Sequence, residues 1–415
     1  MKVWIISVGE PLPTDGENTR LRRMGSLAKC MAEKGHIVEW FSASFDHYKK
    51  KQRCSEDKSI KISENYTMHL LHTNGYKKNV SLARIIQHKM VARKIYKKMN
   101  ELDKPDVIIA SMEPLEVAKI ATKFGKEKDV PVVVDVRDLW PEIYYEVFPK
   151  KMHCLLTPYV QVCKSELKSI MTNAYSIIGL SDGFLDYGLR FAQRKRAKKD
   201  RVFPIGYPNY SYSEYKNELE KHWGEYGLTQ NDFIIVFLGN FGKQFDFEAI
   251  IKASQSLKNI PEIKFVLCGT GPQFDYVRNN TADNVIMPGW IEKDQILSLS
   301  ANARLGIAPY INSVNYIQNT PNKFGEYLSA SSPILVSVPG IMENILMKEE
   351  CGHRYINEID LADYIKTYYK DEDKLKKASN NARKLYDKDF NGDKLYENML
   401  QYLIEIKSLY NGEEI

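Results

Sequence analysis

Lys323 and Glu326 stand three residues apart in Asn319–Glu326, NTPNKFGE. Pro321 bars a helix from running through the loop before them, so a helix starts near Asn322 and its first turn puts both side chains on one face. The run ILVSV after Ser332-Pro333 reads as a short buried strand. A cation and a carboxylate at a helix N-terminus beside a parallel strand suit a nucleotide-linked phosphate. The ammonium and the helix dipole attract the phosphate, and the carboxylate accepts from ribose hydroxyls. The same spacing also suits an i,i+3 surface ion pair. A second group lies at the end of PVVVDV, where Asp135, Arg137, Asp138 and Glu142 crowd the exit of a buried strand. Charge there is costly unless paired or used. Asp138 could accept a proton from an acceptor hydroxyl, whereas Asp135 equally suits an Asp–Arg pair that fixes the loop.

These residues need a scaffold, and the chain spells out an α/β one. VWIISV near the N-terminus is a strand, the loop Gly9–Asn18 follows, and residues 19–34 repeat apolar side chains at helical spacing before a second strand over 36–42. This is a βαβ unit with its ligand edge at the glycine-bearing loop, although no GxGxxG is present. Arg20, Arg22 and Arg23 in the first helical turns oppose the helix dipole and hint at a bound anion. Residues 47–80 are a polar excursion, and 81–102 form a basic amphipathic helix. Strands follow over VIIAS and PVVVDV, then a helix over 144–171 suited to the sheet or to an anionic bilayer. The rhythm restarts at FIIVFL. Four strand–glycine-loop transitions then come within about 100 residues, including GNFGK, CGTGP and PGW, which is the pattern of a second doubly wound sheet.

At 415 residues the chain exceeds one ordinary core, so two domains are expected. Residues 1–205 hold 37 Lys and Arg against 24 Asp and Glu, net +13, while 206–415 hold 22 against 29, net −7. The first half is therefore the one expected to meet an anionic surface or a lipid-linked diphosphate. The basic cluster Arg194-Lys195-Arg196 is its densest part. Nucleic acid is disfavoured, because no aromatic-interleaved binding motif is present and the second half is acidic. The six cysteines form no CxxC pair and read as free thiols of a reducing cytoplasm. No signal-peptide pattern opens the sequence, and no run approaches a membrane span.

The series VGEPLPTDGENTR, DVRDLWPE, FLGNFGK, CGTGP, GWI and PNKFGEYLSASSPIL resembles the retaining glycosyltransferases of family 4, and within them the bacterial L-fucosamine transferase branch of O-antigen and capsule synthesis. The resemblance implies a GT-B fold with two Rossmann-like domains facing across a cleft. Residues 1–207 would bind the acceptor, 208–390 the nucleotide-sugar, and 391–415 would form a helix crossing back to the first domain. It implies a sugar nucleotide donor, UDP linked to an N-acetylated deoxy-amino sugar, a lipid-linked saccharide acceptor at the inner face of the cytoplasmic membrane, and neither metal nor cofactor. Glu326 would bind the ribose and Lys323 the diphosphate. Thr320, Pro321 and Asn322 would approach the sugar, and Trp290 and Ile291 the base. Gly16, Asn240, Gly242, Lys243 and Gly271 would line the phosphates, and Asp138 would stand near the sugar. Arg20 and the 194–196 cluster would face the acceptor or the membrane. The first glutamate of the family's E-x7-E pair falls on Gln318, and its usual arginine on Asn240. These departures bear on sugar specificity, and Gln318 keeps open a non-catalytic binding subunit; the rival enzyme is a nucleotide-sugar 2-epimerase of the same fold.

Overall fold

The computed structural model describes residues 1–16 and 19–413, and omits the side chains of 146 and 147. The chain forms two compact units. One comprises Met1–Pro204 together with the chain from Asp393 onward, and the other comprises Ile205–Gly392.

The first unit contains β1 (Lys2–Ile6), α1 (Arg23–Glu33), β2 (Ile37–Ala43), the short pair β3 (Phe45–Asp46) and β4 (Lys51–Gln52), β5 (Lys58–Ser63), β6 (Tyr66–Leu71), α2 (Leu82–Asn100), β7 (Val107–Ser111), α3 (Leu115–Lys128), β8 (Val132–Val136), α4 (Ile143–Val147), α5 (His153–Asn173), β9 (Ser176–Gly179), α6 (Asp182–Ala192) and β10 (Arg201–Val202). The main sheet runs β10-β9-β8-β7-β1-β2-β6-β5, parallel except for β5. Strand order reverses between β1 and β7, so the ligand edge lies where these two strands end. The first helix begins at Arg23 rather than at residue 19, and the helix expected over 144–171 breaks at Pro149 into α4 and α5.

The second unit contains α7 (Tyr212–Tyr215), α8 (Leu219–Trp223), β11 (Phe233–Leu238), α9 (Glu248–Leu257), β12 (Ile263–Cys268), α10 (Phe274–Asn280), β13 (Val285–Gly289), α11 (Lys293–Asn302), β14 (Ala303–Ala308), α12 (Val314–Ile317), α13 (Asn322–Ser329), β15 (Ile334–Val336), α14 (Ile341–Lys348), β16 (Gly352–Arg354), α15 (Glu358–Lys370) and α16 (Glu372–Leu385). Its all-parallel sheet has the order β13-β12-β11-β14-β15-β16. Counted from β11 this is 3-2-1-4-5-6, the dinucleotide-fold order, with its switch point between β11 and β14. Every side chain of β11, FIIVFL, is buried, as helices on both faces require.

The boundaries differ from 207/208 and 390/391 for a physical reason. Tyr207 donates its amide to Phe390 and accepts from Gly392 and from the Tyr386 hydroxyl, each at 2.9 Å, so Ile205–Tyr207 is tied into the second unit. The last helix, α17 (Gly392–Asn411), buries Leu395, Met399, Leu403 and Ile406 with α1 residues Met24, Leu27 and Met31 in one apolar cluster. Among the described residues no helix is long and apolar enough to cross a membrane.

Candidate active site

In the second unit the site is built around Lys323. Tyr327, one turn further along α13, lies flat on Gly306 of β14, where a Cβ would stand 2.4 Å from its ring. Its hydroxyl donates to the Ile307 carbonyl at 3.2 Å and accepts from the Leu238 amide at 3.1 Å. The phenol thus pins α13 across the ends of β11 and β14 and aims Lys323 at the switch point. The Lys323 side chain is 8% exposed, and its ammonium sits 4.4 Å from the centre of the Phe237 ring. A Cβ on Gly239 would fall 2.1 Å from Lys323 Nζ, and Gly239 has φ +150°, so only glycine admits the ammonium there. Burial pushes the lysine pKa down to about 8, against the pull of Glu326 and Cys268. Among the described residues Lys323 makes no ion pair, so the surface-pair reading of Lys323 and Glu326 is wrong. Glu326 instead accepts from the Tyr207 hydroxyl at 2.8 Å. An ammonium buried against the faces of Phe237 and Phe245, with no carboxylate in ion-pair contact among the described residues, is suited to meet an anion.

The neighbouring loops complete this edge. Gly239 and Phe241 donate to Cys268 and Thr270, both at 2.9 Å, and Gly269 donates to Gly289 at 2.7 Å. A Cβ on Gly271 would stand 2.8 Å from the Phe241 backbone, so loop packing already explains that glycine. Asn240 and Lys243 are exposed at the rim, and a Cβ on Gly242 would meet the side-chain ends of Gln244 and Asn240. Trp290 is 76% exposed after β13, whereas Ile291 is buried. From the segment after β14, Thr320 is buried with its hydroxyl lacking a hydrogen-bond partner, and the carboxamide oxygen of Asn319 is likewise unpaired. Pro321 caps α13, and Asn322 is its exposed first residue.

In the first unit a charged cluster fills the switch point. Arg23, 3% exposed, holds the fully buried Asp135 through Nε at 2.8 Å and Nη2 at 3.1 Å. Arg137 binds Glu10 and Ser111 and lies 3.5 Å from Asp135. Glu10 accepts from the Met24 amide at 3.1 Å. Arg23 is therefore a structural cation rather than an anion receptor, and Asp135 is the paired residue of the two aspartates. Beside the cluster, Glu113 has a buried oxygen without a hydrogen-bond partner. Its carboxyl is raised well above the ordinary range by burial and then by the charge of Asp138. Asp138 keeps solvent contact, but desolvation by the surrounding chain pushes it up to about 6 against the pull of Arg137. Sequence reasoning passed over Glu113 as a site residue, although its place two residues after the strand VIIAS could have marked it.

The remaining expected residues separate. Gly16 is exposed with φ +137°. Its loop is anchored by Asp15, which accepts from Arg53 at 2.7 Å and from the Leu12 amide at 2.9 Å; burial raises the Asp15 pKa, but these bonds and the nearby cations together lower it. The end of the loop, 17 and 18, lies outside the described residues. Arg20 is exposed at the start of the following segment. The basic cluster is corrected: Arg194 binds the buried Asp200 at 2.7 Å and Arg196 binds Asp182 at 2.7 Å, which leaves only Lys195 free for an outside anion.

Residues 220–385, which lie within the second unit and include Lys323 and Glu326, match the family model described as Glycosyl transferases group 1. In fold the chain is similar to sucrose-phosphate synthase from Thermosynechococcus elongatus, with TM-score 0.72 and 16% identity over 98% of this chain and 99% of that one. It is also similar to Anabaena HepE in complex with UDP, with TM-score 0.62 and 14% identity over 98% and 100%. A third similar structure is WaaG, a glycosyltransferase involved in lipopolysaccharide biosynthesis, with TM-score 0.62 and 13% identity over 97% and 99%. No curated protein matches the sequence. Fold and matched domain define the class: the protein is a glycosyltransferase of GT-B fold.

Proposed function

We propose that the protein moves a sugar from UDP to a lipid-linked saccharide with retention of configuration, as in the assembly of a surface polysaccharide at the inner face of the cytoplasmic membrane. The sugar is read as an N-acetylated deoxy-amino sugar. The observation that carries the proposal is the buried ammonium of Lys323, in no ion pair among the described residues, at the β11–β14 switch point. The second unit takes the donor. Lys323 meets the diphosphate, Glu326 the ribose hydroxyls, and the 318–322 segment the sugar. As the glycosidic bond to phosphate breaks, negative charge grows on the leaving diphosphate. A preorganised ammonium in a dry site stabilises that charge without reorganising, and the reading assigns this task to Lys323 rather than to a metal ion. That HepE was obtained with UDP supports the choice of nucleotide. The first unit takes the acceptor, with Asp138 beside the hydroxyl that attacks.

The reading is tested by calorimetry with UDP, GDP and ADP. UDP binds selectively, and Glu326→Ala weakens it about tenfold, as loss of a charge-assisted hydrogen bond predicts. Equal affinity for all three nucleotides, or none, would sink the proposal. Asp138→Asn leaves UDP affinity unchanged and lowers turnover about 100-fold, within the usual range for a general base. In the unsubstituted enzyme, turnover rises with pH through about 6 as Asp138 ionises. An unaltered acid limb in the asparagine variant would remove Asp138 from the reaction.

A further inference from the structure

Residues 65–100 contain eight Lys and Arg and no Asp or Glu. The segment 147–165 contains three lysines and no acid. Topology brings these two stretches to one end of the first unit. The connections β6 to β7, β7 to β8 and β8 to β9 all progress in the same direction across a parallel sheet, so right-handed crossovers put α2, α3 and α5 on one face. Contacts of α2 with α3 and of α3 with α5 agree. Each of these helices starts at the carboxyl edge of the sheet, where the charged cluster lies. Aromatic contacts link the starts of the two outer helices. The Arg84 guanidinium of α2 is 6.0 Å from the Trp140 ring, Trp140 is 4.7 Å from Tyr144, and Tyr144 is 5.4 Å from Tyr159 of α5.

These helix starts expose aliphatic side chains among the lysines. Leu82 is 78% exposed, Ile86 57% and Leu155 76%. Leu82 and Ile86 are four residues apart and share a face of α2. Lys77 and Lys78 precede α2, and Lys150 and Lys151 precede α5; all four are exposed and make no ion pair among the described residues. Other basic residues of the same segments are neutralised, such as Lys94 by Asp57 at 2.8 Å and Lys164 by Glu142 at 3.0 Å.

We propose that this end of the first unit, the starts of α2 and α5, docks onto an anionic lipid bilayer. Unpaired lysines meet the headgroup phosphates while Leu82, Ile86 and Leu155 enter the boundary with the acyl chains. Polynucleotide phosphate would satisfy the lysines but gain nothing from exposed leucines, so the combination favours a membrane. The inference deepens the reading above, resting on it for the acceptor's location, and it moves the membrane contact away from Arg194 and Arg196. Docking here sets the acceptor-side edge, with Asp138 and Glu113, close to the lipid surface.

The test is sedimentation of the full chain with vesicles of phosphatidylcholine, with and without phosphatidylglycerol, alongside UDP calorimetry on the same samples. The protein partitions onto the anionic vesicles. Leu82→Asp with Leu155→Asp lowers partitioning at least about tenfold, and Lys77→Glu with Lys78→Glu does so by about tenfold or more. UDP affinity is unchanged in both pairs, and a urea-unfolding transition of the first unit matching the parent's shows that the substituted unit folds. Vesicle binding without any UDP binding would support docking and overturn only the donor reading. Absence of vesicle binding by a UDP-binding protein would overturn docking. So would partitioning that the aspartate pair leaves intact, or capture by a single-stranded oligonucleotide that survives that pair.

Discussion

Lys323→Met lowers UDP affinity about 100-fold and at the same time makes the second unit more stable. Both effects come from one fact: the ammonium is buried with no carboxylate in ion-pair contact among the described residues, and the pull of Glu326 does not offset its burial. Removing one partner of a buried charge pair costs about 2–5 kcal/mol of binding, and 100-fold is about 2.7 kcal/mol. Without ligand the charge is a liability. Burial depresses the pKa from 10.5 to about 8, which corresponds to about 3 kcal/mol of destabilisation of the folded state at neutral pH. The sign follows from proton binding. Between pH 8 and 10.5 the unfolded chain holds the proton and the folded one has released it, so stability rises with pH across that window. The methionine variant lacks this rise. Urea unfolding of both proteins at neutral pH and near pH 10 measures the difference. Methionine keeps the stem volume against Phe237 and Phe245, so packing does not confound the comparison. A variant no more stable than the parent at neutral pH would mean that the ammonium has a partner. A variant that still binds UDP tightly would remove Lys323 from the diphosphate.

This pairing of lost function with gained stability marks a site built for a ligand. It also shows what a sequence conveys. The continuous β-branched run FIIVFL, followed by glycine, announces a buried parallel strand with a ligand-side loop, because short-range chemistry decides both. Lys323 and Glu326 were legible as a pair on one helix turn. Their separation was not, because it depends on groups far away in the chain. Tyr207 takes Glu326 from 119 residues away, and Gly239 opens room for the ammonium. Tyr207 carried no local sign of belonging to the second unit, since its ties to Phe390, Gly392 and Tyr386 are all long-range. Arg194 and Arg196 looked like a lipid-facing run because composition cannot show that each already has a carboxylate. Conversely, the acid-free stretches around α2 and α5 were legible as basic, but their exposed leucines emerged only when the strands were placed in order.

Asp135→Ala destabilises the first unit by about 3–5 kcal/mol, the usual cost of stripping one partner from a buried ion pair. Asp135 is fully buried and Arg23 nearly so, and the two bonds between them join residues 112 apart in the chain. With Arg137 and Glu10 they make a quartet of two cations and two anions at the β1–β7 switch point. Removing Asp135 leaves one cation in excess where water cannot reach. Arg23→Met combined with Asp135→Leu restores neutrality, since Arg137 keeps Glu10. The double variant therefore regains most of the loss, because an apolar pair of similar volume does about as well as a buried ion pair. Urea unfolding of Arg23→Met, Asp135→Leu and the double variant forms the cycle, and additive losses would show that the bonds carry no coupling. A second readout ties the quartet to the reaction. Surplus positive charge beside Glu113 and Asp138 favours their ionised forms, so Asp135→Ala moves the acid limb of turnover below its position near pH 6 while UDP affinity in the second unit stays unchanged. A limb that does not move would separate the quartet from Asp138 and leave it a purely structural device.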